Sequence, residues 1–339
     1  MFRLLGVLVT VLCAIAAAVL TWPGFFRVDR FFPVAQLISF RSVLVLAFVV
    51  ATVVALLLAI ARPLRAFALS LAVVSALAAV AGGVTVVSRG LGVTELPPTT
   101  DTSVRVLTWN TAGPATGPDA IAQLAVAMEA DVVTLPETTI ETGEQVAIAM
   151  RELGHPMWAH HAADPSAEWD AGSTTILISP ELGDYSVIES SRDGSSNTST
   201  VPSAVAMPTA GDGPIIVAAH AVAPRREYMQ AWRDDLRWLA DQCAGSNVIM
   251  AGDFNATVDH MTSLGMDGGT LGRCRDAALE TGNGSVGTWT TEIPPLVGAP
   301  IDHVMVSEHW RATGSLVVTS LDGAGSDHRP LVVQLEPVK

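Results

Sequence analysis

The stretch Val248-Ile249-Met250-Ala251-Gly252-Asp253-Phe254-Asn255 places four apolar residues, two of them β-branched, directly before a Gly-Asp turn and an asparagine. A short apolar run bounded by turn residues reads as a buried strand. Asp253 and Asn255 therefore lie where a strand of a sheet ends. The same pattern recurs outward along the chain: Val104 to Trp109 runs into Asn110, Val132 to Leu135 into Glu137, and Ile215 to Ala219 into His220. Thr174 to Ile178, His303 to Val306, Leu316 to Thr319 and Leu331 to Leu335 read as further strands.

Between them, Asp119 to Glu129, Glu141 to Leu153 and Arg225 to Cys243 read as helices. In the third, Pro224 stands where a helix can start, and Met229, Trp232, Leu236 and Leu239 recur at helical spacing. Ser190 to Thr200 is a Ser/Asn/Gly stretch expected to form an exposed loop. Strands alternating with helices over residues 104–339 give one α/β domain with two sheets and outer helices.

Polar residues collect at the strand ends, where loops held by a rigid sheet usually carry sites. Ile301-Asp302-His303-Val304 opens one strand and Ser326-Asp327-His328-Arg329-Pro330 precedes the last. Singly, each has an ordinary structural reading: a Gly-Asp turn, a capping Asn110, a helix-start Glu137, a satisfied His220 or Asp302. Taken together and in order, they resemble the endonuclease/exonuclease/phosphatase superfamily of metal-dependent phosphoesterases. The resemblance covers about 104–337.

That resemblance implies a four-layer α/β sandwich, two packed mixed sheets flanked by helices, with Mg²⁺ or Mn²⁺ at one edge. It implies Glu137 as principal metal ligand, with Asn110 helping to hold the metal or the phosphate and Asp327 lying beside the metal. It further implies that Asp253 orients or deprotonates the attacking water and that Asn255 contacts the phosphate. His220 would be a phosphate contact or an acid for the leaving group, and Asp302 would orient His328. Ala112 and Pro136 depart from the family pattern, which commonly has Asn and Gln there; the extra Glu that some nucleases of the family carry between the metal Glu and the first His has no match, Glu168 lying nearby in a loop-like stretch. Arg225 and Arg226, close after His220, are candidates for gripping a phosphate or lipid headgroup, or form a solvated helix start. His155, His160, His161, His260, His303 and His309 fall outside the matched positions and read as surface or packing residues.

The physical chemistry agrees independently. Several carboxylates around an anionic phosphoester would repel it, and a divalent cation reverses that sign. Oxygen ligands with few dedicated residues suit Mg²⁺, and an Asp–His pair fixes an imidazole so that it faces transition-state charge.

The N-terminal part has another character. Of 339 residues, half are hydrophobic and 15% are charged, giving a mean hydropathy of +0.42. Residues 1–94 hold seven of the 19 basic residues and one of the 33 acids, leaving 12 basic against 32 acidic residues beyond them, a balance of −20. Leu4 to Phe26, Ser42 to Ala61 and Ala66 to Ser88 carry no charge, and each is long enough to cross a hydrocarbon core of roughly 30 Å. They predict three transmembrane helices within a membrane anchor, 1–89, joined by a linker, 90–103, to the catalytic domain. The apolar run continues past Ala16-Ala17-Ala18 and more spans follow, which favours an anchor over a cleaved signal peptide. No ionisable residue lies inside a span, so a transport pathway has no support.

Positive groups flanking the spans balance across the two sides. Arg3 before a signal-anchor-like run favours a multi-pass plasma-membrane protein with an extracytoplasmic catalytic domain. Cys243 and Cys274 would then pair, or remain as buried thiols. With Gly90 to Thr102 spanning at most about 45 Å, the domain would stay near the bilayer. The expected activity is a membrane-anchored, divalent-metal-dependent phosphoesterase acting on a lipid-linked or small phosphoester. An anchored nuclease and a catalytically silent binding module are the alternatives. The acidic domain argues against tight duplex nucleic-acid binding.

Overall fold

The computed structural model describes residues 2–93, 95–164, 170–188, 197–211 and 213–338. The predicted Ser190–Thr200 loop falls largely outside these residues, and Glu168 does so wholly. The chain divides into two compact units, Met1–Arg89 and Gly90–Lys339.

The first unit consists of α1 (Phe2–Thr21), the short α2 (Val34–Ser39), α3 (Arg41–Leu58) and α4 (Arg65–Ser88). Among the described residues, three helices are long and apolar enough to cross a membrane. The first ends at Thr21 rather than Phe26, because Trp22-Pro23-Gly24 breaks the helical ladder. The second ends at Leu58 rather than Ala61, where the chain turns toward Pro63. Small residues at Ala68, Ala72, Ser75, Ala78 and Gly82 form the buried side of α4 and let neighbouring helices approach closely. The Thr52 hydroxyl donates to Ser75 Oγ at 2.9 Å, joining α3 to α4.

The second unit contains two six-stranded sheets. Its strands are β1 (Val104–Thr108), β2 (Val132–Pro136), β3 (Trp158–Ala163), β4 (Ser173–Ile178), β5 (Tyr185–Val187) and β6 (Ala204–Pro208), followed by β7 (Ile215–His220), β8 (Val248–Asp253), β9 (Arg275–Asp276), β10 (Asp302–Val306), β11 (Trp310–Val317) and β12 (Leu331–Pro337). One sheet has the order β11-β12-β1-β2-β4-β3 and the other β5-β6-β7-β8-β10-β9. Among the named strands of the described residues, only β1–β2 and β7–β8 pair in parallel, so both sheets are mixed.

Alternate residues of the central strands meet between the sheets: Val106, Val132 and Val333 from one, Ile216, Ile249 and Val304 from the other. The opposite face of the first sheet buries Leu107, Leu135 and Leu177 with Ile121 of α5 (Pro118–Ala127) and Val146 and Met150 of α6 (Ile140–Glu152). On α7 (Met229–Gln242), Trp232, Leu236 and Leu239 are buried. This is the four-layer sandwich expected from the sequence.

Several boundaries differ from expectation. The helix predicted from Arg225 begins at Met229, because residues 223–228 form turns closed by Arg225 N–H to Ala223 O at 2.7 Å and Tyr228 N–H to Arg225 O at 2.9 Å. The strand predicted over Leu316–Thr319 is instead Trp310–Val317, with its register broken between Ala312 and Gly314. β3, β5, β6 and β9 have no counterpart among the expected strands. Three lie at or beside sheet edges, and β6 is built from alanines that carry little periodic signal.

The segment read as a linker is not free. Gly92 N–H donates to Gly282 O at 3.1 Å, Val93 N–H to Asn283 Oδ1 at 3.1 Å, Arg105 Nη2 to Pro97 O at 2.8 Å and Gln334 Nε2 to Pro98 O at 3.0 Å. Its extended length therefore overstates the reach of this tether. Cys243 and Cys274, both buried, form a disulfide with a Cα separation of 5.5 Å.

The Arg329 side chain is fully buried and stitches the loops beneath the strand ends. Its Nε and Nη2 fork onto Asp322 at 2.8 and 2.7 Å, and its remaining donors reach the carbonyls of Gly287, Thr290, Thr291 and Ile293. Arg329→Met should cost on the order of 1–3 kcal/mol in urea unfolding of the full chain, because the carbonyls it serves lose their donor while Asp322 is partly exposed. Arg329→Lys should restore only part of the loss, since lysine cannot form the fork. An unchanged unfolding midpoint in Arg329→Met would contradict this role.

Candidate active site

The adjacent parallel pairs bring four strand ends together. Asn110 follows β1, Glu137 follows β2, His220 ends β7 and Asp253 ends β8. In the ladder, His220 is opposite Asp253, and Asp253 is opposite Asp302 at the start of β10. The backbone is forced to turn sharply at this edge. Gly252 has φ +155°, and a Cβ there would lie 1.9 Å from Ala219 O, which only glycine avoids. Glu137, Asn255 and Ala112 take positive φ of 58°, 46° and 53°. Strained non-glycine residues of this kind cluster at functional sites.

Asn110 couples two of the carboxylates. Its Nδ2 donates to Glu137 Oε1 and Asp253 Oδ2, each at 3.1 Å, while its Oδ1 accepts from Ala112 N–H at 3.0 Å. The amide oxygen is thus engaged in a local turn, and the amide nitrogen bridges the acids. Asn255 likewise secures Asp253 through its backbone N–H at 2.8 Å and its Nδ2 at 3.1 Å, and that Nδ2 also donates to Ala221 O at 2.9 Å.

His328 stands between two aspartates. Its Nδ1 is 2.8 Å from Asp302 Oδ2 and its Nε2 is 3.8 Å from Asp253 Oδ2. Candidate ligand atoms of Asp253, Asp302 and His328 all lie within 4.8 Å of one another. Burial alone would lower the basicity of His328, but Asp302 and Asp253 overcome it and hold the imidazole protonated well above the usual histidine range. Asp253 is pushed above the usual carboxylate range, first by burial and then by the charge of Asp302. His220 is the opposite case: burial, with the positive charge of His328, drops it to about 3. Its Nε2 lies 3.8 Å from Glu137 Oε1, and its Nδ1 is buried without a hydrogen-bond partner.

These charges differ between the carboxylates that could hold a cation. Asp302 and Asp253 share the imidazolium of His328. Glu137 faces a neutral His220 and a neutral amide, so no cationic side chain of the site balances it. Its side chain is 28% exposed, leaving it accessible to a hard divalent cation that keeps part of its water shell. Asp327 lies apart from this group: it is exposed, and its Oδ2 accepts from Trp289 Nε1 at 2.8 Å. Its charge contributes to raising His328.

An open cleft of about 560 Å³ adjoins Glu137, His220 and Asn255 and extends to Arg225 and Tyr228. Arg226 does not line it, so the structure separates the two arginines.

Three supporting residues stand outside the expected site set, Ser326 within the strand-end segment that carries His328. Trp109 Nε1 donates to His328 O at 2.9 Å. Ser326 Oγ donates to Asn110 O at 2.6 Å and accepts from His328 N–H at 3.0 Å, tying β1 to the His328 loop. Trp289 restrains Asp327 from a distant loop. Of the unmatched histidines, His303 is buried between Asp276 and Ala256 O.

The model of the Endonuclease/Exonuclease/phosphatase family matches residues 107–328. Among solved structures, the chain is similar to an endonuclease/exonuclease/phosphatase from Beutenbergia cavernae DSM 12333, with 17% identity, a TM-score of 0.52, and coverage of 70% of this chain and 72% of that one. A family protein from Leptotrichia buccalis C-1013-b gives 14%, 0.53, 69% and 99%. D. rerio TDP2 complexed with single strand DNA product gives 16%, 0.51, 70% and 100%. At these identities the likeness is one of fold. Comparison with curated proteins finds no match.

If Asp302 sustains the charge on His328, Asp302→Asn should move the imidazole titration down toward the ordinary value of 6.5. Side-chain nitrogen NMR of His328 reads this directly, and an unshifted titration would show that the pair does not set the charge.

Proposed function

This chain belongs to the endonuclease/exonuclease/phosphatase family of metal-dependent phosphoric ester hydrolases, and from that premise we propose that it is a membrane-anchored phosphoesterase acting on a lipid-linked or small phosphoester. The observation that carries this reading is the division of charge in the site. One imidazolium answers Asp253 and Asp302, and Glu137 is left for a divalent cation.

Mg²⁺ or Mn²⁺ bound at Glu137 would supply Lewis-acid stabilisation of phosphoryl charge. Asp253, fixed by Asn110 and Asn255 and made more basic by its burial, accepts a proton from the attacking water. Water oxygen bonds to phosphorus as the bond to the leaving oxygen breaks, and the leaving oxygen takes its proton from solvent in the open cleft. His328, kept protonated by Asp302, donates toward the phosphoryl oxygens as their charge grows. His220, neutral at ordinary pH, suits contact with the phosphate better than proton delivery to the leaving group. In this arrangement Asn110 and Asn255 position carboxylates, and Asp327, held by Trp289 apart from Glu137, adds negative charge that supports the His328 imidazolium.

The three long apolar helices support a membrane anchor. The Cys243–Cys274 disulfide supports an extracytoplasmic catalytic unit, because such bonds persist in oxidising compartments. The balance of −20 beyond residue 94 disfavours the nuclease alternative, since affinity for duplexes comes mainly from basic side chains.

Phosphoester hydrolysis should disappear with a chelator and return with Mg²⁺ or Mn²⁺. Asp253→Ala and His328→Ala should each lose roughly 10²–10⁴-fold in kcat, and turnover surviving chelation and both substitutions would refute the site. Protease added to intact spheroplasts should digest the catalytic unit; protection until lysis would place it on the cytoplasmic side.

A further inference from the structure

The cleft beside Glu137 is lined by polar and small apolar groups together. Glu137, His220 and Asn255 share its wall with Thr200, Arg225 and Tyr228, and small apolar residues such as Ala112, Pro114, Val201, Val222 and Ala223 make up most of the remainder. Arg105, Arg237, Arg273, Arg275 and Arg329 of the same unit each contact a carboxylate. The exposed Arg225 guanidinium, like those of Arg151 and Arg311, has no such partner among the described residues, and of these three it alone lines the cleft.

Arg225 nevertheless sits on a fixed backbone. Val222 N–H donates to the buried Asp235 Oδ2 at 3.0 Å, and the two turn hydrogen bonds at Arg225 and Tyr228 close the segment before α7. An unpartnered guanidinium at the wall of a phosphoester cleft is a forked donor for an anion. Among the described residues lining the cleft, Tyr228 is the one tyrosine, tryptophan or phenylalanine, so they offer no stacked pair of such rings of the kind nucleobase recognition uses.

Building on the phosphoesterase reading, we infer that Arg225 binds a second anionic group of the substrate. The substrate class is a phosphoester joined through a short apolar segment to another phosphate or a carboxylate. This chemistry occurs in two-phosphate lipid headgroups and in soluble bisphosphates.

The test uses the full chain in detergent micelles with Mg²⁺, carrying Asp253→Asn to prevent turnover. Isothermal titration compares a ladder of alkanediol bisphosphates with the matching monophosphates, and short-chain phosphatidylglycerol phosphate with phosphatidylglycerol. The two-anion member of at least one pair should bind about tenfold more tightly. Arg225→Ala should erase that advantage, and Arg237→Ala should retain it. An advantage confined to the lipid pair identifies a headgroup as the source, and one confined to the diols identifies a soluble ester.

No advantage in either pair, or one that persists in Arg225→Ala, overturns the inference. Chelator-sensitive turnover of bis(p-nitrophenyl) phosphate by the chain with Asp253 intact separates the two readings. Its presence alongside a negative titration result shows that only the second-anion inference failed. Its absence, extended across a panel of phosphoesters, is failure of the phosphoesterase reading itself.

Discussion

The site depends on the pairing of one buried imidazolium with two buried aspartates. Two aspartates at this depth without a counter-ion would be expensive to ionise. His328 lies 2.8 Å from Asp302 and 3.8 Å from Asp253 and balances them within the protein. Glu137 then becomes the unanswered charge, linked to the same cluster only through the neutral amide of Asn110. The division fixes the proton states as well: His328 is charged, His220 is neutral, and Asp253 is more basic than an exposed carboxylate.

The fold enforces this arrangement through the strand ends. Parallel pairing of β1 with β2 and of β7 with β8 brings residues distant in sequence to one edge, and the packed sheets hold them there. Gly252 admits the close approach of Ala219, and the positive-φ conformations of Glu137 and Asn255 turn those residues out of their strands. Hydrogen bonds behind the site sustain the strain. Ser326 ties Asn110 to the His328 loop, and Arg329 holds the adjoining loops through Asp322 and four carbonyls.

The central architecture was legible in the sequence because it rests on local signals. Apolar runs such as Val132–Leu135 and Ile215–Ala219 mark strands buried on both faces, and Asn110, Glu137, His220 and Asp253 follow them at once. Features decided by tertiary context were not legible. The edge strand Trp158–Ala163 has weak alternation because none of its residues is fully buried, so neither face is marked by an apolar set. Arg225–Tyr228 looks helical by composition, yet its backbone closes into turns that carry Arg225 to the cleft. The resemblance places Asp327 beside the metal, but only the structure shows that Trp289, 38 residues away, holds its carboxylate. The tether from Gly90 reads as unstructured because its partners Gly282, Asn283 and Gln334 lie far along the chain.

The central claim is that charge balance leaves Glu137, and not the Asp253–Asp302–His328 cluster, to hold the cation. Mn²⁺ binding to the full chain followed by electron paramagnetic resonance tests it most directly. The account predicts Mn²⁺ binding that Glu137→Gln abolishes and His328→Gln retains. Binding that survives Glu137→Gln but is lost in His328→Gln would contradict it and place the cation on the cluster.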